Sequence, residues 1–505
     1  MTQLSAKAVQ SAEELSSGFG LQRWVGLFLG PALFVLMFLI PVPEGMTPEA
    51  VRVAAMTLWI AVWWVTEPIP IPATSLLPIV LLPLTNTSSV ADATSGYSNP
   101  LIFVFIGGFM IALALERWGL HRRIALFIVS LVGSSPTRMV LGFMAATGFL
   151  SMWISNTATA MMMLPIGIAV IVQMSRLMLE QDSSEKTQKI LDNFGAAMML
   201  GIAYAASIGG MATLIGTPPN VVLAGAAEEL LGVNITFAQW MIVGVPLATV
   251  GLLGVWLYMT RIALPVPTTP IDGAMKVIKQ DLRELGSISR AEWSVLIIFL
   301  LTAFAWISQE WVIKPFFPKV DDSVIAVTGA ILLFTVPLSI EKNKFILDWD
   351  TAKGLPWGVV LLFGGGLSIA AAFKSSGLSE WLGTALSGLN GLPTFVILLV
   401  LVAMITFLTE LTSNTATATM MMPVTAALGV ALGIDPLLMM IPVALAASCA
   451  FMMPVATPPN AIVFGSGKVS IQQMIKVGWW VNLGSIALLT LVCYFIIPLI
   501  WGNGL

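Results

Sequence analysis

Apolar segments long enough to cross a membrane recur along this chain from Trp24 to Trp501. A transmembrane helix needs about 20 predominantly apolar residues. The 505-residue chain is 57% hydrophobic and only 10% charged, whereas soluble proteins carry about 25% charged residues. The runs are continuous rather than alternating, which disfavours a membrane β-barrel. The sequence therefore predicts an all-α polytopic membrane protein.

Two stretches of the chain have nearly the same sequence. Residues 149–165 and 407–423 align without a gap at an offset of 258 residues (413 − 155), and both contain Ser-Asn-Thr-Ala-Thr-Ala. Each is followed by Thr-Pro-Pro-Asn, at 217–220 and 457–460. A pair of glycines precedes each stretch, at 107–108 and 365–366. The shared order of these motifs predicts an internal repeat.

Small polar residues at the centre of each repeated stretch interrupt an apolar segment. Unpaired polar groups are costly in the hydrocarbon core, so such interruptions occur where they face protein or a water-filled cavity. The apolar arms on either side of Ser-Asn-Thr are about 15 residues long, which is short for a full crossing. We therefore predict re-entrant hairpins at about 137–173 and 393–432, with a broken through-helix as the alternative. The paired prolines predict a further break in the span after each hairpin.

The distribution of Lys and Arg predicts the orientation of about eleven transmembrane helices. Cytoplasmic loops carry an excess of these residues. With a cytoplasmic N-terminus and an external C-terminus, five basic segments fall inside, and the loop at 85–99, which has neither residue, falls outside; Lys314, Lys319 and Lys374 are exceptions. The predicted order is a cytoplasmic segment at 1–22, a leading transmembrane helix at 23–48, a first repeat at 49–260, a cytoplasmic linker at 261–291 and a second repeat at 292–505.

Each repeat then contains five crossings, and an odd number inverts the second repeat relative to the first. The first hairpin enters from the inside and the second from the outside, so both polar tips can reach the middle of the membrane. Inverted repeats around a central site are typical of secondary transporters.

The chemistry of the two tips favours ions. A broken helix frees carbonyl oxygens, and Ser and Asn side chains add oxygens of the kind that hard cations prefer. Asn and Thr can also donate hydrogen bonds to a carboxylate. Neither motif contains Arg, Lys or His, so an anion bound there depends on bound cations and helix dipoles. The alternative is that these residues only join helices together; two copies, each followed by a broken span, favour a binding site.

Other residues are less informative. Glu410 precedes the second Ser-Asn-Thr, where the first repeat has Met152; it could bind a proton, tune a cation site or serve helix packing. Cys449 and Cys493 lie in apolar surroundings, and His121 has no other metal ligands near it in sequence.

We find no nucleophile–His pair or phosphate-binding loop, so an enzyme is not expected. Because the net charge is −3 and the chain has no basic block, we do not expect it to bind nucleic acid. An ion channel is the alternative from another class.

The twin Ser-Asn-Thr and Pro-Pro motifs resemble those of the divalent anion–sodium symporter family, over nearly the whole chain. This resemblance implies sodium-coupled uptake of a di- or tricarboxylate across the cell membrane. It also implies a homodimer in which a transport domain moves like an elevator against a scaffold domain. One sodium ion would bind at Ser151, Ser155, Asn156 and Gly216, and another at Thr409, Ser413, Asn414 and Ala456. The substrate would bind at Asn156, Thr157, Thr217, Pro218, Asn414, Thr415, Thr457 and Pro458.

The resemblance also ranks the substrates. Some members are sodium-independent exchangers with basic side chains near the cation sites, and the motifs here contain none. Thr157 and Thr415 are both present, as in dicarboxylate carriers. Four-carbon dicarboxylates such as succinate, malate and fumarate therefore rank above sulfate, while citrate stays open.

Overall fold

The computed structural model describes residues 20–271, 273–339, 344–386, 388 and 391–501. Most of the predicted cytoplasmic segment at 1–22 and the predicted external C-terminus at 502–505 lie outside these residues. The described chain is almost entirely helical, as predicted, with one two-stranded antiparallel sheet. Its elements are α1 Leu21–Met37, α2 Pro48–Thr66, α3 Ile71–Thr74, α4 Leu77–Leu84, α5 Val90–Ser95, a 3₁₀ turn Gly96–Ser98, α6 Pro100–Arg117, α7 Leu120–Val132, α8 Pro136–Ser151, α9 Asn156–Gln181, α10 Glu185–Gly210, α11 Pro218–Leu231, α12 Phe237–Tyr258 with a π turn Met259–Ala263, α13 Lys276–Glu284, α14 Arg290–Ser308 with a π turn Gln309–Ile313, α15 Asp322–Thr335, β1 Pro337–Ser339, β2 Lys344–Phe345, α16 Trp349–Ala352, α17 Trp357–Ser375, α18 Leu378–Leu386, α19 Thr394–Thr409, α20 Asn414–Ala431, α21 Pro436–Ala447, α22 Pro458–Phe464, α23 Ile471–Phe495 and α24 Ile497–Trp501.

Residues that interrupt the apolar runs become the first residues of helices. Pro218 and Pro458 begin α11 and α22. Proline suits this position because its missing N–H would have no partner within the helix. Serine fills the cap position elsewhere: the Ser155 hydroxyl, for example, accepts a hydrogen bond from Ala158 N at the start of α9. Each interruption therefore separates two distinct helices.

Eight helices within the described residues are long and apolar enough to cross a membrane, which indicates a multi-pass membrane protein. One of them, Asn156–Glu180, is the second arm of the first predicted hairpin. Five further apolar helical segments are shorter. The long helices are Pro48–Thr66, Val90–Arg117, Asn156–Glu180, Glu185–Gly210, Phe237–Ala263, Arg290–Ile313, Trp357–Ser375 and Ile471–Trp501. The prediction of eleven crossings stays a prediction.

The first predicted hairpin differs from expectation in its second arm. Helix α8 has 16 residues, as expected, but α9 has 26 and is long enough to cross the membrane alone. The helix continues through polar residues because they are good helix formers, and Arg176 and Glu180 pair one turn apart at 3.0 Å. The second arm is therefore longer than predicted, and the re-entrant hairpin stays a prediction. The second predicted hairpin has arms of 16 and 18 residues.

Three connecting regions have secondary structure of their own. The link between α9 and α10 is only residues 182–184, because Ser184 caps the helix that starts at Glu185. Residues 71–84 form two short helices, α3 and α4, each with proline in its first turn. The predicted linker at 261–291 contains α13, an amphipathic helix that packs on α7 and buries Ile278 completely.

Helices that follow the interruptions in one repeat pack against helices of the other repeat. Helix α9 of the first repeat packs against α22 of the second, and α20 of the second repeat packs against α11 of the first. Each repeat therefore completes the surroundings of the other. A smaller hydrophobic cluster forms separately from residues of α2, α4, α17 and α18.

Close backbone contact between α8 and α10 depends on glycine. A Cβ atom added to Gly209 would lie 2.2 Å from Gly148 O and 2.5 Å from Gly148 Cα. Neither atom can move without shifting a helix, so no larger residue fits.

We predict that Gly209→Ala destabilises the protein by about 1–3 kcal/mol, the usual cost of overpacking. The apparent melting temperature in detergent measures this. Gly254→Ala is the matched control, because Gly254 also lies in a helix and has nothing within 4 Å of its added Cβ. Equal melting temperatures for the two variants would contradict the proposed contact.

Candidate functional site

Four interruptions between helices meet at one cavity of about 850 Å³. They are residues 152–155 and 211–217 in the first repeat, and 410–413 and 448–457 in the second. All eight residues expected to bind substrate line the cavity: Asn156, Thr157, Thr217, Pro218, Asn414, Thr415, Thr457 and Pro458. The sequence motifs, 258 residues apart, are thus brought to one place.

The cavity wall includes the N-termini of four helices. Asn156, Pro218, Asn414 and Pro458 are the first residues of α9, α11, α20 and α22, and all four line the cavity. Helix N-termini carry partial positive charge and unpaired N–H groups. Their convergence makes the cavity favourable for an anion.

A first group of oxygen atoms lies behind the cavity, at the C-terminal end of α8. Ser151 is fully buried, and its Oγ lies 2.6 Å from Asn156 Oδ1 and 2.7 Å from the carbonyl oxygen of Ala206. The same end of the Asn156 amide lies 3.1 Å from Ala206 O and 3.2 Å from Gly216 O. We call these atoms the first oxygen cluster.

The second repeat contains the same arrangement. Thr409 is fully buried, and its Oγ1 lies 2.7 Å from Asn414 Oδ1 and 2.9 Å from the carbonyl oxygen of Ala447. We call these atoms the second oxygen cluster. Ser155, Gly216, Ser413 and Ala456, the remaining expected cation ligands, line the adjoining cavity.

The first oxygen cluster has the composition of a cation site. With the Asn156 oxygen turned inward, two side-chain oxygens and two carbonyl oxygens converge around a single hydroxyl hydrogen. A hard monovalent cation would stabilise such a group. With the amide turned over, its nitrogen would instead donate to the three neighbouring oxygens. The residues present therefore fit sodium, and the amide can satisfy the same oxygens in its place.

The carbonyl groups of Ala206 and Ala447 were not anticipated from the sequence. Alanine has no polar side chain, so only the tertiary contact with Ser151 and Thr409 reveals them. Both lie near the C-terminal ends of helices, where carbonyl oxygens carry partial negative charge.

Two buried asparagines fix the shape of the interruptions. Asn220 Nδ2 donates to the carbonyl oxygens of Met211 and Thr213 at 3.3 and 2.8 Å, and to Gly210 O at 3.3 Å. Asn460, its equivalent, donates to Ala450 O and Met453 O, both at 3.0 Å. Both asparagines are completely buried. Their place in the repeated Thr-Pro-Pro-Asn was visible in the sequence, although no function was assigned to them.

Several hydroxyl groups in the wall are free to contact a ligand. Among the hydrogen bonds of the described residues, the Thr157 and Thr415 hydroxyls form none. The Thr217 and Ser413 side chains do not cap the helices that follow them, unlike Thr457 and Ser155. These groups can donate to carboxylate oxygens.

The charged side chains of the cavity lie away from the twin motifs. Arg23, Glu67 and Glu116 are the only charged residues among its described lining, and they belong to the ends of α1, α2 and α6. Glu67 adopts a left-handed backbone with φ of 47° and is exposed. No Lys, Arg or His side chain from the described residues approaches the motif end of the cavity.

The other residues noted in the sequence are His121, the two cysteines and Glu410, and they contact groups within the protein. His121 Nδ1 lies 3.0 Å from Leu115 O, and both cysteines are buried and free of a disulfide, with the Cys449 thiol donating to Leu445 O. The part of the chain that the structure describes contains no cluster of three metal-binding side chains. Glu410 is buried and accepts hydrogen bonds from backbone N–H groups and from Asn482.

We predict that Asn220→Ala lowers the apparent melting temperature in detergent. The substitution leaves carbonyl groups without a donor, at about 1–3 kcal/mol for each buried group that stays unsatisfied. Asn193→Ala is the control, since the half-buried Asn193 donates a hydrogen bond only to Pro265 O. A variant at position 220 as stable as the control would show that the interruption does not need this side chain.

Comparison with known proteins finds similarity over nearly the whole chain. A family model of the sodium:sulfate symporter transmembrane region matches residues 21–502. The sodium-dependent dicarboxylate transporter SdcS of Staphylococcus saprophyticus is 48% identical over 495 residues, which are 97% of this chain and 95% of that protein. SdcS of Staphylococcus aureus strain bovine RF122 / ET3-1 is 49% identical over 488 residues, which are 96% of this chain and 93% of that protein.

Two solved structures share the fold at low sequence identity. The Alcanivorax borkumensis YdaH transporter has a TM-score of 0.57 and 16% identity, with 90% of this chain and 99% of that chain covered. Neisseria gonorrhoeae MtrF has a TM-score of 0.56 and 12% identity, with 97% of both chains covered. At this identity the likeness shows the fold alone.

Proposed function

Because the chain belongs to the sodium:sulfate symporter transmembrane family, we propose that it carries a four-carbon dicarboxylate into the cell together with sodium ions. Membership confirms the resemblance inferred from the twin motifs. It also confirms that the protein is a transporter and not an enzyme. The substrate, the direction and the mechanism are the proposal.

One observation supports this function most strongly: an anion-favouring cavity lies between two oxygen clusters and has no basic side chain at its motif end. A dicarboxylate placed there needs positive charge from another source. Helix N-termini supply part of it, and bound cations would supply the rest. Anion and cation binding then depend on each other, which is the thermodynamic basis of coupling.

We assign one sodium ion to each oxygen cluster. The first ion is bound by Ser151, Ser155, Asn156 and Gly216, with the Ala206 carbonyl as an added ligand. The second is bound by Thr409, Ser413, Asn414 and Ala456, with the Ala447 carbonyl added. The ends of the preceding helices favour the positive charge because their carbonyl dipoles point toward it.

The substrate carboxylates are assigned to the two tips. Asn156 and Thr157 donate to one carboxylate, and Asn414 and Thr415 to the other. Thr217 and Thr457 add hydroxyl groups from the interrupted spans. Pro218 and Pro458 have no N–H to donate, so they act by starting the helices whose N-termini face the anion. Two equivalent tips suit a substrate with two carboxylates better than sulfate, and the staphylococcal relatives are named as dicarboxylate transporters.

The cavity also supports a conformational proposal. From the tips it extends to Arg23, Glu67 and Glu116, at helix ends that the charge distribution assigns to the cytoplasm. We propose that this is the inward-open state of an elevator-type transporter built from inverted repeats. The separate hydrophobic cluster around α2 and α17 is consistent with a scaffold domain, which would form the homodimer.

We predict that Asn156→Ala and Asn414→Ala each abolish succinate uptake, because each removes a cation ligand and an anion donor at once. Uptake into proteoliposomes measures this, and size-exclusion profiles in detergent check that the variants fold. Asn193→Ala, outside the cavity, is the control and transports normally. Normal uptake by either tip variant would refute the assignment of the site.

We also predict that replacing external sodium with potassium removes succinate accumulation. Proteoliposomes with an imposed sodium gradient and a panel of succinate, malate, fumarate, citrate and sulfate provide the test. The four-carbon dicarboxylates should saturate and compete with one another. Accumulation that continues in potassium would support an exchanger, and flux that does not saturate would support a channel.

A further inference from the structure

The two interrupted spans are built differently in the two repeats. The first interruption has seven residues, 211–217, and the second has ten, 448–457. Met211 N and Ala212 N bond to Ile208 O and Gly209 O, just past the end of α10. Ser448 N and Cys449 N bond in the same way just past the end of α21. Because α21 ends three residues earlier relative to Thr-Pro-Pro-Asn, the N–H groups of residues 451 and 452, which match residues 211 and 212, are not bonded to the helix.

The Glu410 carboxylate accepts hydrogen bonds from these groups. Its Oε1 lies 2.7 Å from Phe451 N and 2.9 Å from Met452 N, and its Oε2 lies 3.0 Å from Met453 N. Asn482 Nδ2 adds a fourth donor, 2.8 Å from Oε1. Glu410 is only 4% exposed, and Asn482 is completely buried. Three successive N–H groups facing one carboxylate form an anion-binding concavity that stabilises negative charge.

The same segment is held from its other side. The Tyr204 hydroxyl donates to Phe451 O at 2.8 Å, and the Asn460 amide donates to the carbonyl oxygens of Ala450 and Met453. Side chains from α10, α22 and α23 therefore act with Glu410 to fix the backbone from 450 to 453. Three residues later this backbone reaches Ala456, in the cavity wall.

Glu410 is also the residue directly after Thr409, whose hydroxyl belongs to the second oxygen cluster. It thus joins the two chain segments that carry the expected ligands of the second cation. We propose that Glu410, supported by Asn482, is a positioning residue for the second cation site and is not itself a ligand of the cation. This inference rests on the proposed function, because it assigns a purpose to the geometry of that site.

The first repeat has no equivalent carboxylate. Met152 occupies the matching position, and its carbonyl accepts from the Thr213 hydroxyl, while Trp240 Nε1 donates to Met211 O. Neutral groups are sufficient there because the helix supplies its own hydrogen bonds. The two cation sites should therefore respond differently to substitution of these matched residues.

The test is Glu410→Gln in proteoliposomes, compared with Met152→Gln at the matching position. Groups that orient metal ligands typically change affinity by about 10–100-fold when substituted. We expect the half-saturating sodium concentration for succinate uptake to rise about tenfold in Glu410→Gln and to stay unchanged in Met152→Gln. The sodium concentration that protects purified protein from heat should rise by the same factor. The charge moved per succinate should stay that of the wild type.

Asn482→Ala is the second variant, because it leaves Glu410 with its three backbone donors. A smaller rise in half-saturating sodium is expected. Amide hydrogen exchange at residues 451–453, measured without sodium, should be faster in both variants than in the wild type. If Glu410→Gln does not fold, these measurements on Asn482→Ala decide the proposal.

Three outcomes overturn the proposal: unchanged sodium dependence in Glu410→Gln, an altered charge per succinate, and unchanged exchange at 451–453 in the variants that fold. An altered charge would mean that Glu410 itself carries a cation or a proton. Failure of the proposed function looks different, because the wild type itself would then take up succinate without sodium. The exchange comparison still tests the positioning contact in that case.

Discussion

The central constraint on this fold is that backbone polar groups inside a membrane must find partners within the protein. Each of the four interruptions frees N–H and carbonyl groups from the hydrogen bonding of its helix. The chain meets this constraint by bringing the interruptions together and pairing their groups with buried side chains such as Asn220 and Asn460. The cavity lies where the four interruptions meet. In the proposed function, bound ligands complete the hydrogen bonding of the broken helices there.

Interrupted helices also separate charge without charged side chains. The C-terminal ends of α8 and α19 lie at the oxygen clusters, while the N-termini of α9 and α20 lie at the cavity. Each tip therefore presents partial negative charge on one side and partial positive charge on the other. In the proposed function, this arrangement would allow an anion and cations to bind a few residues apart. Arg or Lys in the motifs would remove the proposed dependence of the anion on the cations, because their charge is permanent.

The two repeats make the same contacts at their tips, but different groups hold their interrupted spans in place. Ser151 and Thr409 contact an asparagine and an alanine carbonyl in the same way. The longer second interruption, however, requires a buried carboxylate where the first uses continued helical hydrogen bonds. Glu410 could be noticed in the sequence as an unusual intramembrane acid, but its four donors lie 41 to 72 residues away along the chain. No local pattern could have identified Asn482 as its partner.

The sequence by itself determined the helical membrane class, the repeat and the residues of the two tips, because hydropathy, proline and repeated motifs are local properties of the chain. The tertiary structure alone decided that both tips line one cavity, that the carbonyls of Ala206 and Ala447 join the oxygen clusters, and that Glu410 supports the second interruption. It also decided the length of α9, which passes beyond its apolar residues. The physical reason is that backbone groups carry no sequence signal, and their partners are chosen by packing between segments far apart in the chain.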